Sequence, residues 1–366
     1  MIFERKYFPL NRIEILSENI TGNYRYLSSL YPGIKIAPVL KSNAYGHGIE
    51  LIAKILDPLR PLFFCVDSLF EAHKILKTGV KTKILVMGFT DPRNLTVKKL
   101  PFSFAVYDLE HLKGMLKHQP EAKIHLFVDT GMHREGIKID DLNDVFKIMG
   151  KVNIEGLMSH FAMSEKYDSP LTLMQVKNFK KAREILEKFN INPKWVHLGA
   201  SGGFLNAKHF EEIGNMARTG KALYGIDLSG KFKDLKLALR LKSTLVQIKD
   251  LDKDESVGYD FTYKAKKKMK IGILPIGYND GLDRRLSNSG FVKIGNIFCP
   301  IIGRVSMNIT TIDLSKVKNP FVGQEVIVIS EVRGDINSAE NIAKTIGTIP
   351  HDVLVGLSGE IKRGVV

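Results

Sequence analysis

A chain of 366 residues with 44% hydrophobic content is longer than one ordinary domain and rich enough in apolar residues for a sizeable core, so a large domain plus a smaller one is expected. Its two cysteines, Cys65 and Cys299, lie far apart, one of them inside an apolar run, which excludes a disulfide framework and a cysteine metal cluster. The net charge of +15 raises nucleic acid or a membrane surface as partners, yet the lysines are scattered and no apolar run is long enough to cross a bilayer.

Only Lys264-Ala265-Lys266-Lys267-Lys268-Met269-Lys270 is densely basic, and it lacks interleaved aromatics or a binding module, so it reads as a solvated loop and neither a nucleic-acid nor a membrane partner is expected. Charges precede any apolar stretch at the N-terminus. With the sparse cysteines, this gives a cytoplasmic expectation.

From Arg12 to Tyr31 the apolar positions Ile13, Ile15, Leu16, Ile20, Tyr24, Leu27 and Leu30 recur at roughly helical spacing, which predicts a helix. Lys35 to Leu40, bounded by Pro32-Gly33, reads as a short buried strand. Gly46 and Gly48 then open a turn into a helical pattern from Ile49 to Leu56. Further strands are predicted at Phe63 to Val66, Lys83 to Met87, Phe102 to Tyr107, Ile124 to Val128, Ile154 to Ser159, Trp195 to Leu198 and Met216 to Tyr224. Helices fit between them at Leu69 to Lys77, Leu109 to His118, Asp140 to Met149, Leu171 to Phe189 and, shorter, His209 to Ile213.

Eight β-then-α units match an α/β fold of the (β/α)8 TIM-barrel type, whose ligands gather at the C-terminal ends of the strands. A doubly wound open sheet would alternate in the same way, but no G-x-G-x-x-G favours it. After Gly230 the texture becomes β-rich, at Thr244 to Ile248, Met269 to Leu274, Phe291 to Ile294, Phe298 to Ile302, Thr310 to Ile312 and Glu325 to Ile329, with one helix at Ala339 to Ile346. The barrel is thus expected over 10–231 and a mostly β C-terminal domain over 232–366, with residues 1–9 a candidate addition to the latter.

Lys41 stands where an apolar strand gives way to a loop. Partial desolvation there would lower its pKa and free an amine able to condense with an aldehyde, although a surface lysine in a strand-turn-helix connection is the plain alternative. The run Val39-Leu40-Lys41-Ser42-Asn43-Ala44-Tyr45-Gly46-His47-Gly48 closely resembles the attachment motif of the alanine racemase family. In that family the lysine binds pyridoxal 5'-phosphate and the tyrosine four residues on touches its phosphate. The resemblance implies those roles for Lys41 and Tyr45.

It extends through nearly the whole chain. Val257-Gly258-Tyr259-Asp260-Phe261-Thr262-Tyr263 is similar to the family motif whose first tyrosine is the base opposite the lysine, which implies that role for Tyr259, with Tyr263 the nearer competitor. His160, ending a strand, matches the histidine near the cofactor ring. Ser201 matches the phosphate-binding serine, Arg218 the arginine facing the pyridine nitrogen, His197 its support, and Gly220 and Lys221 the backbone phosphate donors. Arg134 matches the arginine that contacts the substrate carboxylate, Met307 a backbone substrate contact, and Tyr278, Glu165, Arg284 and Arg304 the entry corridor. Each residue taken singly also fits ordinary packing or turn chemistry.

Phe127 departs from the family, because many members carry there a lysine that supports the substrate-binding arginine. Ala200, Asn308, Glu165 and Gly359 depart as well, and the missing side chain at Gly359 implies a roomier pocket. The resemblance implies a racemase of L- and D-alanine that uses pyridoxal 5'-phosphate and two bases, Lys41 and Tyr259, on a small amino-acid substrate. It further implies a homodimer with shared active sites and no metal. A broad-specificity amino-acid racemase and a non-catalytic pyridoxal-phosphate carrier are the competing readings.

Overall fold

The computed structural model describes residues 8–149, 153–163, 168–206 and 213–366. The chain divides into two compact units. Residues Ile20–Ala44 and Ile49–Leu235 form one, and the described residues up to Asn19, Tyr45–Gly48 and Lys236–Val366 form the other.

The first unit is a ring of eight parallel strands: β1 (Lys35–Pro38), β2 (Phe63–Val66), β3 (Lys83–Val86), β4 (Ser103–Val106), β5 (Lys123–Asp129), β6 (Ile154–Met158), β7 (Trp195–His197) and β8 (Met216–Thr219). Strands β2 to β7 pair in sequence order and β8 pairs with β1. Isolated parallel bridges Val39↔Cys65 and Ala200↔Arg218 join the two arcs, so the barrel closes. These strands read as near-continuous apolar runs because both faces are covered: all four residues of β2, β4 and β8 are buried. The intervening helices begin where short polar caps precede apolar periodicity. Ser68 accepts from the amide of Glu71, Asp108 from that of His111 and Ser169 from that of Thr172.

Two expected elements of the barrel differ. The strand expected from Met216 to Tyr224 stops at Thr219, and Lys221–Tyr224 is a 3₁₀ turn whose Tyr224 hydroxyl donates to the Val39 carbonyl at 2.9 Å. The helix expected at His209 to Ile213 lies, all but its last residue, outside the described residues.

In the second unit a six-stranded sheet runs in the order Ile297–Pro300, Phe291–Ile294, Glu325–Ile329, Leu239–Thr244, Arg12–Ile15, Lys362–Val365. The expected helix from Arg12 therefore gives way to a strand at Arg12–Ile15, and helix begins only at Ser17. The cause is a period-two alternation inside the helical spacing. Ile13 and Ile15 face the core while Glu14 pairs with Arg240 at 2.6 Å and Lys242 at 3.1 Å on the neighbouring strand. The strand expected at Thr244 to Ile248 is likewise split. Thr244 ends a strand that pairs with Glu325, whereas Gln247 opens another that pairs with Ile273 in a separate three-stranded sheet. The lysine run leads from a two-stranded ladder at Tyr263–Lys264 into the three-stranded sheet at Met269, and Lys264, Lys268 and Lys270 pair with Asp254, Asp252 and Asp250.

Candidate active site

At the end of β1 the chain does something sequence patterns rarely announce. Ser42, Asn43, Ala44 and Tyr45 all take left-handed conformations, with φ of 55°, 53°, 54° and 53°, before Gly46 continues at 82°. Each such non-glycine residue costs roughly 1–2 kcal/mol, so the turn persists only because its surroundings hold it. Glu71 accepts from the amides of Ser42 at 2.6 Å and Asn43 at 3.4 Å, Asn43 Oδ1 accepts from the Ile49 amide at 3.0 Å, and the Ala44 amide donates back to the Leu40 carbonyl. This strained turn fixes the root of Lys41. The lysine is more open than a buried strand end implies, with its side chain 38% exposed and Nζ 3.6 Å from Asp67 Oδ1, itself just past the end of β2.

Four further strand ends converge in the same unit. After β5, Asp129 Oδ1 accepts from the amides of Gly131, Met132 and His133, winding the loop that presents Arg134. Arg134 forks through Nε and Nη2 onto the Glu135 carboxylate, which holds the guanidinium firmly charged. Phe127, where the family often has a lysine, instead packs its ring with Ala105, Met158 and Tyr107. Glu135, not residue 127, therefore braces Arg134. After β6, the loop carrying His160 is clamped by Gln175, which donates to the His160 carbonyl at 3.0 Å and accepts from the Ala162 amide at 2.9 Å. Burial, then the positive charges of Arg218, Arg134 and Lys41, push the His160 pKa down to about 3, so its ring is neutral. Of these cations Arg218 stands beside the ring, its Nη2 3.4 Å from His160 Nδ1.

Arg218, on β8, is 2% exposed. Its Nη1 donates to His197 Nδ1 and, at 2.7 Å, to the His197 carbonyl, while Nη2 donates to the Ser159 carbonyl at 2.6 Å. Burial brings its pKa down to about 10, leaving it charged at neutrality. After β7, Ser201 Oγ accepts from the amides of Gly220 at 3.0 Å and Ala222 at 3.3 Å. A hydroxyl and two amides thus face one another at adjacent strand ends. Among these donors a buried acceptor already sits where a phosphate oxygen would compete. Beside Gly220, the buried Thr219 hydroxyl has no hydrogen-bond partner among the described residues. A charged guanidinium, two neutral histidines, a hydroxyl cradle and a lysine suit pyridoxal 5'-phosphate: anion donors for the phosphate, a cation for the ring nitrogen and an amine for the aldehyde.

In the second unit Tyr45 is half-buried, its ring 6.2 Å from that of His351, and burial pushes its phenol up to about 12. Tyr259 opens a 3₁₀ turn after Gly258, whose φ is 73°, and is 69% exposed. Asp260, left-handed in that turn, pairs with Arg304 at 2.9 Å. Tyr263 instead is partly buried, packed against the core cluster of Val257 and Met269. The Tyr278 and Asn279 amides donate to the carbonyls of Ser306 and Met307, so the turns that bear Tyr259, Tyr278 and Met307 adjoin. Arg284 is exposed on a 3₁₀ turn of its own, and Glu165 lies outside the described residues.

Sequence reading passed over Asp67, Glu71, Glu135 and Gln175. Asp67 had a usable signal, a carboxylate at a barrel strand end. The others act on backbone or on a neighbour and carry no local mark.

Residues 15–227 match the family "Alanine racemase, N-terminal domain" and residues 238–365 the family "Alanine racemase, C-terminal domain". Alanine racemase 2 of Caldanaerobacter subterraneus is 34% identical, with the alignment covering 96% of this chain and 94% of that protein. The alanine racemase structure of Clostridium difficile 630 superposes with a TM-score of 0.90 at 26% identity, covering 99% of this chain and 97% of that one. That of Bartonella henselae, with covalently bound pyridoxal phosphate, superposes with a TM-score of 0.87 at 26% identity over 98% of this chain and all of the other. The chain belongs to the alanine racemase family.

Proposed function

We propose that this protein interconverts L- and D-alanine with pyridoxal 5'-phosphate, using Lys41 and Tyr259 as bases on opposite faces of the α-carbon. The observation that carries this reading is the gathering of Lys41, a buried charged Arg218 and the Ser201 cradle at the strand ends of one barrel. Bound there, pyridoxal 5'-phosphate supplies an electron-withdrawing ring that acidifies the substrate α-carbon. Arg218 would hold the ring nitrogen, His160 the ring, and Ser201, Gly220, Lys221 and Tyr45 the phosphate. A guanidinium keeps its own proton and brings no carboxylate to hold one on the ring, which restrains the carbanion chemistry and suits racemisation. Arg134, braced along one edge by Glu135, offers its remaining edge to the substrate carboxylate. Met307 would meet the substrate through its backbone.

The amine of Lys41 takes or returns the α-proton on one face, and the phenol of Tyr259 does so on the other. We place that phenol in the site of a second copy, as a homodimer with shared active sites. The exposure of Tyr259 and Phe261 on their anchored turn supports this. The match of residues 238–365 argues against a carrier built on the barrel alone. Both cysteines are free and buried, which fits a reducing, cytoplasmic setting.

A chiral assay in deuterated water tests the reading, following α-proton exchange and racemisation across a panel of amino acids. Alanine is expected to exchange and racemise fastest. No exchange with any amino acid would sink the enzyme, and equal rates for bulkier substrates would make it a broad-specificity racemase.

A further inference from the structure

Behind Arg218 a line of buried polar groups crosses the barrel to its far end. His197 Nδ1 accepts from Arg218, His197 Nε2 lies 2.8 Å from His125 Nδ1, and His125 Nε2 lies 3.5 Å from Glu155 Oε2. That last approach is an electrostatic contact, longer than an ordinary hydrogen bond. The two histidines are fully buried and Glu155 nearly so. Glu155 is held by Ser103 Oγ at 2.8 Å and by Lys123 and Lys83 at 3.6 and 3.9 Å.

Two features of the backbone build this line. In the β5–β6 ladder Ile124 pairs with Ile154 but His125 pairs with Gly156, so Glu155 is the extra residue of a bulge, a device that re-aims a side chain. At Gly156 a Cβ would lie 2.3 Å from His125 Nδ1, so only glycine leaves room for that ring.

The ends of the line dictate its protons. A guanidinium only donates and an ionised carboxylate only accepts. His197 Nδ1 must therefore be bare, which places its proton on Nε2, aimed at His125 Nδ1. That nitrogen must be bare in turn, and the His125 proton sits on Nε2, toward Glu155. We propose that Glu155 is a positioning residue for Arg218, fixing through its contact with His125, and through His197, the single proton arrangement in which every proton of the line points away from the cofactor-facing guanidinium. This rests on the reading that Arg218 meets the pyridine nitrogen.

Burial works against the Glu155 charge, but His125, Ser103 and Lys123 outweigh it and hold its pKa at about 2, while burial keeps both histidines neutral. With Glu155 ionised, the line strengthens the acceptor on which Arg218 is fixed and keeps the guanidinium from yielding its proton toward the ring.

The test is nitrogen NMR of the holoenzyme labelled at histidine, joined to kinetics. In the unaltered protein His125 and His197 should both be neutral with protons on Nε2. A proton on Nδ1 of either overturns the proposal, and this needs no variant to fold. Glu155→Gln should shift the His125 and His197 resonances and lower kcat for alanine about tenfold, the worth of one pKa unit at the guanidinium, with KM unchanged. Glu155→Asp should restore much of both. Unchanged resonances and kcat in Glu155→Gln would reduce the residue to a structural role. Failure of the racemase reading looks different: no turnover in the unaltered enzyme, whatever its histidine spectrum.

Discussion

The two units put comparable chemistry on opposite kinds of foundation. In the barrel three candidate cofactor groups are anchored: Arg218 by two carbonyls and a histidine, Ser201 by two amides, and the root of Lys41 by a strained turn tied to Glu71. In the second unit Tyr259 stands exposed on a turn whose neighbour Asp260 is pinned by Arg304, so the backbone is fixed while the phenol faces outward. A cofactor needs a site complete before it arrives, whereas a base that meets the opposite face of the substrate needs only a rigid mount. The difference teaches that the locked groups should load the cofactor and that Tyr259 should decide whether protons move.

Substitutions can break that division. The largest effect is expected at the two bases. Lys41→Ala should lower kcat on the order of a thousandfold and abolish the cofactor absorbance, whereas Tyr259→Phe should cost a similar factor while leaving cofactor content and melting temperature unchanged. Loss of cofactor in Tyr259→Phe would erase the distinction between the units.

Next comes the strained turn. Gly46→Ala forces a side chain onto φ of 82° and into the Leu354 carbonyl, 2.0 Å from the new Cβ. It should destabilise the protein by about 2 kcal/mol or more, read by chemical unfolding. An unaltered midpoint would show that the turn relaxes freely.

A smaller change is expected at Glu135. Glu135→Ala frees the Arg134 guanidinium to swing, and the KM for alanine should rise roughly tenfold with kcat little altered. A fall in kcat alone would mean that Arg134 serves the transition state only.

The smallest effect, taken per pH unit, concerns His160. Its folded pKa is depressed to about 3 from an ordinary 6.5, by burial first. Between those values the unfolded chain binds a proton that the folded one refuses, so stability falls as pH is lowered through that window, by about 1.4 kcal/mol per unit for this group. Above it the contribution is constant. His160→Asn should flatten the slope by that amount in unfolding curves measured at successive pH values. An unchanged slope would place the acid lability in His125 and His197.

Much of the barrel was legible because parallel strands buried on both faces leave short apolar runs, and the limits of Phe63–Val66, Leu69–Lys77, Leu109–His118 and Ile49–Leu56 fell where composition put them. Arg12–Ile15 misled because four residues at alternating period also satisfy a helical spacing when a helix follows at once. The left-handed turn at Ser42–Tyr45 was invisible, since serine, alanine and tyrosine carry no preference for that region and only tertiary contacts impose it. Lys41, Arg218 and Ser201 could be read as strand-end chemistry. Their supports could not: Glu155 reaches His125 through a bulge, and Glu71 acts on bare amides.

Mixing Lys41→Ala with Tyr259→Phe, each inactive alone, tests the account most directly. If each site joins the lysine of one copy to the tyrosine of another, a mixed dimer holds one intact site and one doubly broken one, so random equimolar reassociation should recover about a quarter of the unaltered activity. No recovery, with mixed dimers demonstrably formed, would contradict it.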